Sequence, residues 1–253
     1  MNLHYKELGQ GKPLVILHGL FGSLDNWQTH AKKLSEYFRV ILVDQRNHGH
    51  SDWSEEFNYS LLAQDLKELV DQLNLTDFYL LGHSMGGKTV MQFVQNYPDL
   101  VEKLIVVDIG IKQYPMHHEE ILKGIHAVSA SLMDSRSSAE SMLLPYVPDF
   151  GTRQFLLKNL YWKEKGKLAW RMNVEVLERE MQHILAALPT DENFTPTLFI
   201  RGKRSGYILE EDYSDIETVF PDSTFETIEN AGHWVHAEAP DEFINAVLAF
   251  LLR

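Results

Sequence analysis

The first 110 residues alternate short apolar runs with longer segments of helical spacing. The runs are PLVILHG at 13–19, RVILVDQ at 39–45, FYLLG at 78–82 and KLIVVDI at 103–109. Between the second and third runs, residues 60–73 carry leucines three or four positions apart, as one face of a helix requires. This alternation predicts a mostly parallel central sheet flanked by helices on both faces.

The pattern changes after residue 110. Residues 111–189 contain helix-like stretches but no convincing strand. One predicted helix is marked by apolar residues at helical spacing and is ended by a proline: Leu177, Met181, Ile184, Leu188 and then Pro189. We expect this block to be a helical insertion that lies over the sheet as a cap.

The strand pattern resumes near the carboxyl end. PTLFIRG at 196–202 and STFETIENAGHW at 223–234 have strand character, and DEFINAVLAFLLR at 241–253 is amphipathic. We therefore predict an α/β core formed by 1–110 and 190–253, interrupted by the cap at 111–189.

Composition narrows the classes of function. The formal charge of −13 argues against binding to nucleic acid or to an anionic membrane surface. The absence of cysteine excludes disulfides, thiolate nucleophiles and zinc–thiolate sites. No apolar run approaches the roughly 20 residues that a membrane-spanning helix needs. We expect a cytoplasmic protein, and the sequence indicates no oligomeric state.

A serine stands between two glycines where an apolar run meets a helical segment. In GHSMG, at 82–86, Gly82 and Gly86 flank Ser84 at a distance of two residues. A G-x-S-x-G pattern alone occurs by chance in glycine-rich loops. Here a predicted strand precedes it and a predicted helix follows, as expected for a tight, strained turn that exposes a nucleophilic hydroxyl.

A serine hydroxyl needs a base before it can act as a nucleophile. His233, in NAGHW at 230–234, follows a strand-like run, and Ala231-Gly232 allows a sharp exit that presents its ring. His236 is the nearby alternative. We predict His233 as the base.

Four pieces in order resemble the α/β-hydrolase family along the whole chain. They are HGLFGS at 18–23, DQRNHGHS at 44–51, GHSMGGK at 82–88 and NAGHW at 230–234. The first three are similar to those of the YbfF-type esterases and their ABHD11-like relatives. The resemblance implies an α/β-hydrolase fold with a helical cap.

The acid of the catalytic triad is displaced in this sequence. Most relatives carry it after the next-to-last strand, where this chain has Ser205. Asp108 ends the run KLIVVD and could meet the unused imidazole nitrogen of the base, and the YbfF resemblance implies the same placement. A purely structural strand-end role for Asp108 is the alternative, with Glu210 and Asp212 as the other candidate acids.

Two backbone N–H groups should stabilise the oxyanion. The fold supplies one from Met85, the residue after the nucleophile, and the resemblance implies Leu20 as the second. Together these residues predict a serine hydrolase that acts on an activated acyl carbonyl. The resemblance implies short- to medium-chain acyl esters as substrates, with acyl-CoA thioesters as a further substrate class. The mechanism requires no metal and no organic cofactor.

The apolar residues of the cap should divide between the acyl pocket and the core of the cap itself: Tyr114, Met116, Leu143, Leu144, Tyr146, Phe150, Phe155, Leu156, Tyr161 and Trp162.

Other functions stay open at this stage. Relatives with the same triad act as carbon–carbon bond hydrolases or lyases, and others bind a ligand with little turnover. GHSMGGKT at 82–89 also satisfies the phosphate-loop pattern, with Lys88 in the lysine position, which would indicate nucleotide hydrolysis. This pattern does not open the domain, however, and it leaves HGLFG and NAGHW unexplained.

Several polar residues have simpler interpretations than catalysis. His117 and His118 lack the spacing of a metal-binding pair, and adjacent histidines on a helix should point to different faces. We interpret them as the polar start of a cap helix. We expect His18, Asp44 and Arg46 to hold loops by hydrogen bonds. His83, inside the serine turn, should pack beneath it.

Overall fold

The computed structural model describes residues 1–133 and 135–253. In the described part, the strands are β1 Tyr5–Leu8, β2 Pro13–Leu17, β3 Arg39–Val43, β4 Phe78–His83, β5 Val101–Val107, β6 Leu160–Glu164, β7 Lys167–Trp170, β8 Thr197–Gly202 and β9 Ser223–Ile228. The α-helices are α1 Gln28–Leu34, α2 Tyr59–Gln72, α3 Met85–Asn96, α4 Glu119–Ser129, α5 Arg136–Leu143, α6 Phe150–Leu157, α7 Val174–Arg179, α8 Met181–Leu185, α9 Tyr213–Val219, α10 Val235–Glu238 and α11 Pro240–Leu251. Short 3-10 helices span Leu24–Asn26, Pro98–Leu100 and Glu210–Asp212.

A seven-stranded sheet runs through the molecule in the order β1-β3-β2-β4-β5-β8-β9. Every neighbouring pair is parallel except β1 with β3. The predicted mostly parallel sheet is therefore confirmed. The prediction did not include β1, because an edge strand reading YKEL has only two apolar residues and leaves Lys6 and Glu7 exposed.

Both faces of the sheet are buried, which explains why its central strands read as continuous apolar runs. On one face Val15 and Leu80 belong to the same buried cluster as the apolar sides of α2 and α3. On the other face Ile16 and Leu81 belong to a cluster that includes Phe243 of α11. Because β4, β5 and β8 are adjacent and parallel, their carboxyl ends lie side by side at one edge of the sheet. Binding crevices of parallel sheets open at this edge.

The segment between β5 and β8 is mixed in structure. The expectation of helices without strands is wrong, because β6 and β7 form an antiparallel hairpin. Its turn contains Gly166 at φ 77°, a backbone conformation that glycine adopts readily. Charged residues occupy the middle of the hairpin, at Lys163–Lys165 and Lys167 around Gly166, and they separate two short apolar pieces. The hairpin therefore lacked the continuous apolar signal of a buried strand.

The helix expected to run to Leu188 is also interrupted. It divides at Glu180 into α7 and α8, and the chain is extended again at Ala186. The cause is tertiary, because Leu188 N–H donates to the Ile111 carbonyl and Tyr114 N–H donates to that of Leu185. The two ends of the segment therefore pair with each other, and its limits at 111 and 189 as a cap stay a prediction.

Lys88 of α3 also joins these two ends. Its ammonium group donates to the Lys112 carbonyl at 2.7 Å and to the Ala186 carbonyl. The helix that follows the serine turn is thus attached to both the exit and the return of the 111–189 segment. Within the described residues, no helix is long and apolar enough to cross a membrane.

Candidate active site

Ser84 occupies a strained turn between β4 and α3. Its φ of 53° and ψ of −120° are unusual for a residue with a side chain. A Cβ at Gly82 would lie 2.2 Å from the Gly86 carbonyl oxygen, and one at Gly86 would lie 2.5 Å from the His18 carbonyl oxygen. Both glycines are therefore required by close backbone approach, as the sequence pattern indicated.

The structure brings Ser84, His233 and Asp108 into one hydrogen-bonded chain. His233 Nδ1 donates to Asp108 Oδ2 over 2.7 Å, and this leaves Nε2 as an acceptor. Ser84 Oγ lies 3.1 Å from that Nε2. The arrangement has the geometry in which a base removes the serine proton while a carboxylate holds the imidazole tautomer.

Ser205 contacts the carboxylate whose usual position it occupies. Its hydroxyl donates to Asp108 Oδ2, and Gly202 N–H donates to Oδ1 over 3.0 Å. Asp108 itself has a φ of 50° at the end of β5. Because β5 and β8 are adjacent, a carboxylate from one strand reaches the place normally filled from the other.

The other candidate acids have other partners. Asp212 accepts from the Lys112 ammonium at 2.6 and 2.7 Å. The Glu210 side chain is largely exposed, and its Oε1 lies 3.5 Å from Arg201 Nη2. Neither contacts His233, so the geometry favours Asp108.

Aromatic rings hold His233 in place. The Tyr207 ring stacks on the imidazole, with centroids 4.0 Å apart and planes inclined by 18°. His83 is buried beneath the turn, as predicted, and its Nε2–H donates to the His233 carbonyl over 2.9 Å. Burial lowers the pKa of His83 well below its usual value, so this ring is neutral. The alternative base, His236, instead stacks on Trp27 at 4.3 Å.

The loop after β2 is fixed close to Ser84. A Cβ at Gly19 would lie 3.2 Å from Ser84 Cβ. Phe21 has a φ of 59°, its N–H donates to His48 Nε2 over 3.2 Å, and its carbonyl accepts from Asn159. Burial lowers the pKa of His48 to about 3, so the ring can accept this bond.

Leu20 in this loop and Met85 at the start of α3 are the two predicted oxyanion residues. Both line a cavity that also contains Ser84. Their backbone N–H groups stay our candidates for oxyanion donors.

The neighbouring polar residues hold loops, as the sequence analysis expected. Asp44 accepts from Leu24 N–H over 2.7 Å, and Arg46 makes a two-point contact with Asp65 at 2.6 and 2.9 Å. His18 Nδ1–H donates to the Gly19 carbonyl over 2.8 Å. Burial lowers the pKa of His18 to about 4. None of these side chains is needed for the proton transfers.

Two cavities meet at Ser84. The outer cavity has a volume of about 230 Å³ and is lined by His233, Trp234 and Phe155, among others. The inner cavity has a volume of about 20 Å³ and is lined by Lys88 and by apolar residues. Leu20, Ser84, His118 and Tyr207 line both. A larger surface cleft of about 670 Å³ contains none of the candidate site residues.

Three of the ten apolar residues named for the cap line these cavities, namely Tyr114, Phe155 and Leu156. Several others are exposed instead: Met116, Leu144, Phe150 and Trp162. The sequence could not separate these groups, because each position is equally apolar.

Sequence reasoning missed His118 and Tyr207 as parts of the site. His118 directly precedes α4 and Tyr207 lies after β8, and both line the cavities at Ser84. The rings of His117 and His118 have centroids 4.0 Å apart and do not point to different faces. The only signal in the sequence was the histidine pair itself.

Lys88 does not point toward a phosphate site. Its side chain is buried, and its ammonium donates to the two carbonyls at the ends of the 111–189 segment. Burial lowers its pKa from 10.5 to about 7. Among the described residues, no group of three metal-binding side chains is close enough to hold an ion.

Comparison with known proteins places the chain in a family. A family profile described as the alpha/beta hydrolase fold matches residues 12–139. The chain is 38% identical to Esterase YbfF of Escherichia coli over 242 residues, which cover 94% of this chain and 92% of that protein. The chain belongs to the α/β-hydrolase family.

Further α/β-hydrolases show the same relationship. The chain is 39% identical over 247 residues to the mouse sn-1-specific diacylglycerol lipase ABHD11, covering 94% of this chain and 80% of that one. A solved structure of a marine microorganism esterase superposes with a TM-score of 0.94 at 39% identity. That match covers 98% of this chain and 99% of the esterase. The resemblance drawn from the four sequence pieces is confirmed.

Proposed function

We propose that this α/β-hydrolase cleaves short- to medium-chain carboxylic esters through an acyl-enzyme intermediate on Ser84. That it is a serine ester hydrolase agrees with its similarity to proteins named esterases and lipases. The observation that carries the proposal is the hydrogen-bonded chain from Asp108 through His233 to Ser84, open to a cavity on the His233 side.

In the proposed reaction, His233 Nε2 takes the Ser84 proton as Oγ attacks the ester carbonyl. The Leu20 and Met85 N–H groups bind the oxyanion of the tetrahedral intermediate. His233 then gives the proton to the alkoxy oxygen, the alcohol leaves, and a water activated by the same imidazole releases the acid. Asp108, held by Ser205 and Gly202, stabilises the imidazolium in both halves.

Each half of the ester can be assigned to one of the two cavities. The alcohol oxygen must receive its proton from His233, which lines the outer cavity and is absent from the wall of the inner one. We therefore assign the alcohol to the outer cavity and the first carbons of the acyl group to the inner cavity. A volume of about 20 Å³ favours acetyl and propionyl groups, and longer chains would require Ile184 and Leu185 to move.

Other substrates of the same chemistry stay secondary. Acyl-CoA thioesters would use the same acyl-enzyme, whereas carbon–carbon cleavage or ligand binding with little turnover has no observation in its favour. A cytoplasmic location likewise stays a prediction.

Hydrolysis of p-nitrophenyl esters from acetate to palmitate tests the proposal, with Ser84→Ala as the inactive control. We expect kcat/KM to be highest for acetate to butyrate and to fall with longer chains. A fluorophosphonate should label Ser84 in the folded protein. Folded protein that is neither labelled nor active on any ester would refute the proposal, while labelling without ester turnover would indicate the lyase alternative.

A further inference from the structure

His118 lies where the two cavities meet, and its imidazole has no hydrogen-bond partner among the described residues. Its Nδ1 is buried from solvent without a partner, and the ring lines both the outer and the inner cavity beside Ser84. Two aromatic rings lie beside the His118 ring. Its centroid is 4.0 Å from that of His117 and 6.1 Å from that of Phe21.

The other polar side chains of the outer cavity already have partners. His83 donates to the His233 carbonyl, Tyr207 contacts His117, and Thr152 Oγ1 bonds Asp149 and accepts from Trp234 Nε1. The remaining wall is mostly apolar, with residues such as Leu20, Ile121, Phe155 and Leu156. Outside the catalytic triad, His118 is thus the polar side chain of this wall with no protein partner on either ring nitrogen, among the described residues.

The imidazole of His118 is uncharged at neutral pH. Burial, reinforced by the neighbouring His117, lowers its pKa to about 3. A neutral imidazole offers one N–H donor and one nitrogen acceptor. Because Nδ1 is buried from solvent, Nε2 is the nitrogen available to a ligand. A hydroxyl group can donate to Nε2 in one tautomer or accept from it in the other, so it suits this uncharged ring.

We infer that His118 binds a hydroxyl group carried by the alcohol half of the ester, close to the scissile oxygen, and so selects esters whose alcohol carries a second hydroxyl, such as glycol monoesters. This inference rests on the proposed function. The alcohol occupies the cavity that His233 lines, and His118 borders the same space next to Ser84.

The selectivity has a physical cause in solvation. In the free enzyme, water in the outer cavity can bond to His118 Nε2, the nitrogen that is not buried. An alkyl alcohol displaces that water and leaves the imidazole unpaired, which is costly for a buried polar group, whereas a hydroxyl replaces the lost bond. Sites of this kind discriminate against the analogue that lacks the hydroxyl.

The test compares 2-hydroxyethyl acetate with propyl acetate, because the two differ only by a hydroxyl in place of a methyl group. The ratio of their kcat/KM values, measured by pH-stat titration, is divided by the ratio of their rates with hydroxide to remove intrinsic reactivity. We expect a corrected preference of about 10- to 100-fold for the hydroxyl ester. Because both esters are measured on the same protein, the ratio is independent of the folded fraction.

Three variants locate the source of this preference. His118→Phe keeps a ring of similar size and removes both nitrogens, so the corrected ratio should fall to within about 3-fold of unity. His118→Asn keeps a donor and an acceptor and should retain part of the preference. His126→Phe is the matched control, since His126 lies exposed on α4, bonds Glu178 and lines neither cavity, and it should leave the ratio unchanged.

The outcomes separate this inference from the proposed function. Turnover of p-nitrophenyl acetate with a corrected ratio near unity would overturn the role of His118 alone. So would a preference that survives in His118→Phe. Folded protein inactive on p-nitrophenyl acetate and on both test esters would overturn the proposed function and this inference with it.

Discussion

Replacing Lys88 by methionine should remove a pH dependence of stability that the native protein carries. The ammonium of Lys88 is enclosed by protein, and burial alone accounts for the lowering of its pKa. Two carbonyl oxygens accept its hydrogen bonds, but neither carries the full negative charge that would offset the loss of hydration. Methionine fills a similar volume without the charge.

The magnitude follows from the two pKa values. In the unfolded chain the pKa of Lys88 is 10.5 and in the native state it is about 7. At about 1.4 kcal/mol per pH unit, keeping the ammonium charged in the fold costs about 5 kcal/mol. Below pH 7 both states are protonated and the full cost applies. Between pH 7 and 10.5 the native state binds fewer protons than the unfolded state, so stability rises with pH.

Denaturant unfolding at pH values from 6 to 10 measures this effect. We expect the free energy of unfolding of the native protein, taken relative to Lys88→Met at each pH, to rise by about 4 kcal/mol between pH 6 and pH 10. Guanidinium chloride screens surface charges but not a desolvation cost, so the trend should persist in it.

Lys32→Met provides a control, because Lys32 is exposed on α1. That variant should track the native protein at every pH. A difference between native and Lys88→Met protein that varies by less than about 1 kcal/mol over the range would show that Lys88 stays protonated, and it would refute the reasoning.

Three further predictions concern the site. Asp108→Asn should lower kcat by roughly 1,000- to 10,000-fold with the fold intact. Asp212→Asn should stay within about 10-fold of native activity, because Asp212 has no contact with the base. The reverse result would identify Asp212 as the acid of the triad. Ser205→Ala removes one donor from the Asp108 carboxylate and should lower kcat about 10-fold and shift the acidic limb of the pH–rate profile to higher pH, because a more basic carboxylate raises the pKa of the imidazole; an unshifted limb would contradict this coupling. Gly82→Ala should lower stability by about 3 kcal/mol, because the new Cβ would meet the Gly86 carbonyl, while Gly206→Ala, which has open space around its Cβ, should cost little in a thermal melt.

Much of the core was predictable because its signals are local. Leu62, Leu66 and Leu69 mark α2, and the apolar runs mark the central strands, since burial of both faces leaves no polar positions. The predicted helix ran to Leu188, whereas α8 ends at Leu185, because Leu188 pairs with Ile111, which lies far away in the chain.

The candidate site divides in the same way. The GHSMG and NAGHW pieces gave Ser84 and His233 as candidates, because turn geometry demands particular residues at fixed spacing. The choice of Asp108 depended on noticing that Ser205 cannot serve as the acid. His118 and Tyr207 could not be found, since what matters about them is their position beside Ser84, and no local pattern records that.

The glycine contacts behind Ser84 make the serine turn less tolerant of substitution than the segment that lines the cavities. Gly86 lies against the backbone at His18, and Gly82 lies against Gly86, so a larger side chain at either glycine would push the serine turn away from its neighbours. Substitutions in the 111–189 segment, which supplies part of the cavity walls, can therefore change substrate specificity. The distances between the reacting atoms stay the same.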